Sequence, residues 1–199
     1  MRIQKLTACR WSDLHTSSGP FPVIGRIRPT LRDGVWSYTE ELSQSICWKT
    51  YPICTVDASY LDSPDKAIFL AYSDADACVG QIILRKDWNR YAFIEDIAVK
   101  PACRGQGFGT ALVQRAAAWA RAASLDGLAL ETQDNNVLAC RFYAKLGFVI
   151  GAVNTMLYKN FPKPWCDETA VFWYLSFPAA APVSVSYTHL RAHETLRHL

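Results

Sequence analysis

Glu95 and Asp96 are adjacent carboxylates inside an apolar run, Ile94-Glu95-Asp96-Ile97-Ala98-Val99, and eight residues beyond Asp96 the chain reads Arg104-Gly105-Gln106-Gly107-Phe108-Gly109-Thr110 before an Ala-rich stretch. The first pattern is a strand carrying groups that can accept a proton or anchor a cation. The second is a glycine loop opening a helix, where unpaired N–H groups and the helix dipole favour an anion. Glycines let backbone approach a phosphate closely. No Lys follows the glycines as a mononucleotide loop requires, and their spacing is too tight for the dinucleotide fingerprint. The competing reading is a turn that only permits close strand–helix packing.

A second constellation lies at Glu131-Thr132-Gln133-Asp134-Asn135-Asn136, followed by Val137 through Phe148. Leu128 to Gln133 predicts a strand, the Asp/Asn run supplies N-cap residues, and Gly147 is placed to end a helix in the left-handed conformation. Asn136 and Tyr143, seven apart, fall on nearly one helix face. Taken alone, Tyr143 also fits a core aromatic with a satisfied hydroxyl.

Together the two stretches resemble the signatures of the GNAT acetyltransferase family, Arg-x-x-Gly-x-Gly and Asn-x-x-Ala-x-x-x-Tyr-x-Lys-x-Gly-Phe. The resemblance implies an α/β fold of α+β type: a mixed, mostly antiparallel sheet with a V-shaped split, flanked by helices. It implies acetyl-CoA as cosubstrate. Arg104, Gly105, Gln106, Gly107, Phe108, Gly109 and Thr110 would hold its pyrophosphate, and Ile97, Ala98 and Val99 its pantetheine amides. Asn136 would touch the pantetheine region and Tyr143 would protonate the departing thiolate. Adjacent strand residues face opposite ways, so only one of Glu95 and Asp96 reaches the cleft unless the strand bulges, as this family's does. Glu95 is the expected base, with Asp96 as substitute or substrate anchor.

The sequences around Asp87-Trp88-Asn89-Arg90, Ile94 to Ile97, Leu130 to Gln133 and Glu168 to Tyr174 are further similar to the streptothricin acetyltransferases, which acetylate the β-lysine part of these antibiotics. That implies a cationic amine acceptor, with Glu131 and Glu168 as anchors and Trp88 and Trp173 as walls. Some relatives carry an acidic run before the central sheet, where this chain has only Asp57, Asp62 and Asp65. An amino sugar phosphate, polyamine or aminoglycoside acceptor is the alternative, and a non-catalytic acetyl-CoA sensor a further one.

The rest of the chain must position these groups. Its 199 residues, half of them apolar, fit one domain with a sizeable core. A net charge of +3 suggests no nucleic-acid partner. Seven cysteines without a CxxC pair predict reduced thiols in a cytoplasm and no metal. No run has membrane-spanning length, and no signal peptide is visible. A homodimer is left open. Strands are expected at 67–72, 79–84, 91–99, from 148, and at 170–177, with a helix over 109–124 burying Leu112, Ala116, Trp119 and Ala123. Residues 36–48 have no clear pattern. The acetyltransferase domain is assigned to 1–178. The tail 179–199, despite His189, His193 and His198, resembles translated adapter read-through and is read as disordered or non-native to the domain.

Overall fold

The computed structural model describes residues 1–178; the expected tail, with its three histidines, lies outside the described residues. Nine strands and three α-helices follow in the order β1 (Arg2–Lys5), β2 (Phe21–Arg32), β3 (Val35–Lys49), α1 (Ser59–Asp62), β4 (Lys66–Tyr72), β5 (Cys78–Lys86), β6 (Tyr91–Val99), α2 (Phe108–Ala122), β7 (Gly127–Gln133), α3 (Val137–Lys145), β8 (Val149–Asn154) and β9 (Ala170–Ser176). Seven strands form one sheet, β1-β4-β5-β6-β7-β9-β8, in which only the β6–β7 pair is parallel. The mixed, mostly antiparallel sheet is the expected one.

Strands β4 and β5 read as continuous apolar runs because both of their faces are covered. One face packs under α2 and α3 around Phe69, Ile82, Leu84, Leu112, Leu130 and Trp173. The other packs under α1 and an N-terminal 3-10 turn around Leu6, Tyr60, Ile68, Leu70 and Ile83. Helix α2 buries Leu112, Val113, Ala116, Ala117 and Ala120, while Trp119 and Ala123 are half-exposed. The stripe is thus broader than expected and rotated from it, as a helix lying flat on a sheet requires.

Strands β2 and β3 were not resolved as a pair by pattern. They form a separate long hairpin, closed by Asp33 and Gly34, whose φ angles of 50° and 77° suit a two-residue turn. The hairpin lies against α3 and the end of β7. Ile27 N–H donates to Asp134 O at 2.8 Å, and Arg26 Nη1 reaches Asp134 Oδ2 at 3.1 Å. Arg141 of α3 pairs with Glu40.

Candidate active site

The sheet opens where the carboxylates are. β6 pairs with β7 only from Tyr91↔Gly127 to Ile94↔Leu130, although β7 continues along β9 as far as Gln133↔Ala170. Residues 95–99 therefore have no strand partner on their β7 side, and the two strands diverge into the V-shaped split. On the other side the β5–β6 register slips between Ile83↔Asp96 and Leu84↔Ile94, leaving Glu95 as the extra residue of a bulge. The bulge breaks the alternation and brings both carboxylates to the α1 face of the sheet. Tyr60 of α1 donates to Glu95 Oε2 at 2.5 Å, and Arg85 Nε lies 3.3 Å from Glu95 Oε1. Gln81 Nε2 donates to Asp96 Oδ2 at 2.6 Å, and burial pushes the Asp96 carboxyl up from its ordinary value.

The glycine loop divides its work. Gly105 and Gly107 have φ of 76° and 87°, the left-handed region that favours glycine. A Cβ at Gly105 would meet nothing within 4 Å, and one at Gly107 only Met1 Cε at 3.9 Å, so this side of the loop has room for a ligand. No side chain caps α2, which leaves the first-turn N–H groups of Phe108, Gly109 and Thr110 available. Gly109 answers the packing reading instead, since a Cβ there would stand 3.2 Å from Phe142 Cζ. Arg104 Nε donates to Val99 O at 3.0 Å and Gln106 Nε2 to Ala102 O at 3.0 Å, bracing the loop against the end of β6. These features fit a diphosphate ester whose tail enters the split beside Ile97, Ala98 and Val99.

Asn136 caps α3 by accepting from Ala139 N–H at 3.2 Å and donates Nδ2 to the Tyr51 hydroxyl at 3.2 Å. Tyr143, one face along, is 5% exposed and packs edge-on between Phe142 and Phe148. Its hydroxyl makes no hydrogen bond among the described residues. Burial, with the charge of Asp96 second, pushes that hydroxyl well up, so at neutral pH it keeps its proton.

The far wall is β7 and the loop after β8. Glu131 Oε2 accepts from Tyr158 OH at 2.8 Å, and Gln133 Nε2 donates to the same hydroxyl at 2.7 Å. Among the described residues Glu131 Oε1 and Asn135 Oδ1 are buried without a partner, and burial raises the Glu131 carboxyl. Such orphaned acceptors in a polar cluster invite a donor from a ligand or a water.

Three of the expected substrate contacts sit in surroundings of a different kind. Glu168 is held by Lys49 Nζ at 2.6 and 2.7 Å and by Asn135 Nδ2 at 3.0 Å, so its oxygens are engaged in a buried ion pair. Trp173 is 1% exposed and donates Nε1 to Thr132 Oγ1 at 2.9 Å, a core residue. Trp88 is 91% exposed at the tip of the β5–β6 hairpin and lines no wall. Pattern reading missed Lys49, Tyr51, Tyr60, Gln81 and Tyr158. Lys49 ends the hairpin and Tyr51 follows it, while Cys54 further along is pushed up to about 11 by burial and by both bulge carboxylates. The chain from 49 to 54 thus crosses from the Glu168 wall to the Glu95 wall. Tyr51, Tyr158 and this crossing sit in loops that no periodicity marks.

A model of the Acetyltransferase (GNAT) family matches residues 31–148. Streptothricin acetyltransferase A of Bacillus subtilis is 47% identical over 175 residues, 88% of this chain and 99% of that protein. The structure of a protein assigned as a streptothricin acetyltransferase from Bacillus anthracis str. Ames, in complex with acetyl coenzyme A, superposes with a TM-score of 0.81 at 35% identity, covering 89% of this chain and 98% of that one. A nourseothricin acetyltransferase structure gives 0.74 at 26% identity over 89% and 98%. With its split sheet, its glycine loop at the head of α2 and its Asn136–Tyr143 helix, the chain belongs to the GNAT acetyltransferase family.

Proposed function

We propose that this protein transfers the acetyl group of acetyl-CoA to an amino group of a streptothricin-type antibiotic, on its β-lysine moiety, and so confers resistance. The observation that carries this reading is the 47% identity that runs through 99% of the Bacillus subtilis streptothricin acetyltransferase A. The acceptor side agrees in chemistry. Glu95, Asp96 and Glu131 make the walls of the split acidic, which suits a polycationic acceptor and disfavours a phosphorylated sugar. Glu131 Oε1 and Asn135 Oδ1 are the acceptors we assign to substrate ammonium groups.

Acetyl-CoA supplies the thioester that the amine attacks directly. The loop from Arg104 to Thr110 holds the pyrophosphate, and the free edge at Ile97, Ala98 and Val99 orients the pantetheine. An alkylammonium titrates near about 10.4 and must lose a proton before it attacks, so a carboxylate at the bulge has to accept one. Tyr143, kept protonated by burial, gives its proton to the leaving thiolate. The only change of charge occurs inside the split, where low dielectric strengthens each of these contacts.

Among the described residues no helix is long and apolar enough to cross a membrane, and no group of three His, Cys, Asp or Glu is placed to hold a metal. We read the free cysteines as suited to a reducing cytoplasm. The test is expression in a susceptible bacterium. Growth on nourseothricin with continued sensitivity to aminoglycosides, together with streptothricin-dependent thiol release from acetyl-CoA, is expected. Full sensitivity in cells that contain soluble protein refutes the reading.

A further inference from the structure

The bulge presents two carboxylates, and their surroundings differ in kind. Both oxygens of Glu95 are engaged: Oε2 by the Tyr60 hydroxyl and Oε1 by Arg85, which also bonds Asp87. Each Glu95 oxygen thus already faces a donor of the protein. Asp96 has no cationic side chain within ion-pair distance among the described residues. Its Oδ2 accepts from the neutral amide of Gln81, and its Oδ1 makes no hydrogen bond there.

Gln81 is itself fixed. It is 0% exposed, a costly place for an amide unless every polar atom is matched. Its Oε1 accepts from the His15 main-chain N–H at 2.6 Å, and its Nε2 meets His15 Nδ1 at 3.2 Å as well as Asp96. A main-chain N–H can only donate, so the orientation of the amide is determined. His15 is in the left-handed region with φ 64°, which His and Asn adopt more readily than most non-glycine residues.

From this arrangement we infer that Asp96, not Glu95, takes the proton of the acceptor ammonium, and that Gln81 and His15 are positioning residues that hold it for that task. The inference rests on the acetyl-transfer reading and goes further by assigning the base. The ammonium passes one proton to Asp96. The freed nitrogen lone pair forms the C–N bond as the C–S bond breaks, and the Tyr143 hydroxyl protonates the sulfur. The second nitrogen proton and that of Asp96 leave to solvent, from which Tyr143 regains its own. The charge of Asp96 adds, after burial, to the rise of the Tyr143 hydroxyl. The titratable groups around Asp96 are His15, Glu95 with Tyr60 and Arg85, Cys54 and Tyr143. Burial keeps Asp96 above its ordinary range while Gln81, and after it His15, oppose that rise.

The test compares pH profiles of kcat/KM for thiol release with the amine that supports turnover. Asp96→Asn should lower kcat by about 10²–10⁴-fold and abolish the acidic limb, whereas Glu95→Gln keeps the limb. Gln81→Met removes the hydrogen bond to the charged carboxylate at nearly constant volume, so the limb should move to higher pH with acetyl-CoA KM unchanged. A residue needed only for stability would lower the unfolding temperature without moving the limb. If Gln81→Met does not fold, His15→Asn, which tolerates the left-handed backbone, should move the limb in the same direction by less. A second readout needs no turnover: carboxyl-carbon NMR should show Asp96 titrating above the other aspartates and higher still in Gln81→Met. An acidic limb lost in Glu95→Gln and kept in Asp96→Asn, or an Asp96 resonance with ordinary titration, overturns the assignment. A wild-type enzyme that turns over another amine but not streptothricin defeats the proposed substrate and leaves this test intact.

Discussion

Lys49→Met should cost this protein more stability than any surface ion-pair change, because of what it strands. Lys49 Nζ lies 2.6 and 2.7 Å from the two oxygens of Glu168, and the side chains are 11% and 1% exposed. Without it Glu168 keeps, among the described residues, only the Asn135 amide as donor. The cation also sits over the Trp165 and Tyr51 rings, at 4.1 and 4.9 Å. Removing one partner of a buried pair costs about 3–5 kcal/mol. The loss is thus roughly 6–20 °C in Tm at about 2–4 °C per kcal/mol. Urea unfolding of variant and wild type measures this. Lys49→Met/Glu168→Leu should recover at least half the loss, since an apolar pair replaces a half-broken ionic one. A loss below about 1 kcal/mol, or a double variant no more stable than Lys49→Met, would refute the reasoning that this pair is a closed, dry link between the hairpin and the β7 wall.

Three further outcomes are expected. Tyr143→Phe keeps the ring packing and should lower turnover by about 10²–10⁴-fold with acetyl-CoA affinity nearly unchanged; near-normal turnover under conditions where chemistry limits the rate would return Tyr143 to a packing role. Gly107→Asn, a residue that tolerates positive φ, should weaken acetyl-CoA binding by calorimetry with little change in unfolding temperature, and unchanged affinity in the folded variant would remove the loop from the pyrophosphate site. Glu131 has a folded value raised above its unfolded one, chiefly by burial, so the native state binds more protons in that window and wild-type stability declines as pH rises through it. Glu131→Gln should therefore be more stable than wild type above that window and no more stable below it, with reduced affinity for streptothricin; calorimetric scans at both pH values check the first part.

The local ingredients of the site are written in the chain. Gly105 and Gly107 ahead of an Ala-rich helix, Asn136 as a cap, Tyr143 seven residues on and Gly147 as a stop are each set by backbone chemistry within a few residues, and all adopt the conformations their types demand. The doubly buried β4 and β5 announce themselves as apolar runs for the same reason. The long hairpin was harder to see although Asp33-Gly34 marks its turn, because most of β3 is exposed and its alternation is not sustained. What each charged group faces was decided only by tertiary structure. Glu131 lies within β7 and Glu168 just before β9, yet Lys49 arrives from 119 residues away to close the second and leaves one oxygen of the first open among the described residues. The bulge that turns Glu95 and Asp96 to one face comes from the slip of β6 against β5. Gln81, 15 residues from Asp96, and His15, 66 residues from Gln81, then distinguish the two carboxylates. Burial and long-range hydrogen bonding set those environments, and neither has a period that a linear sequence displays.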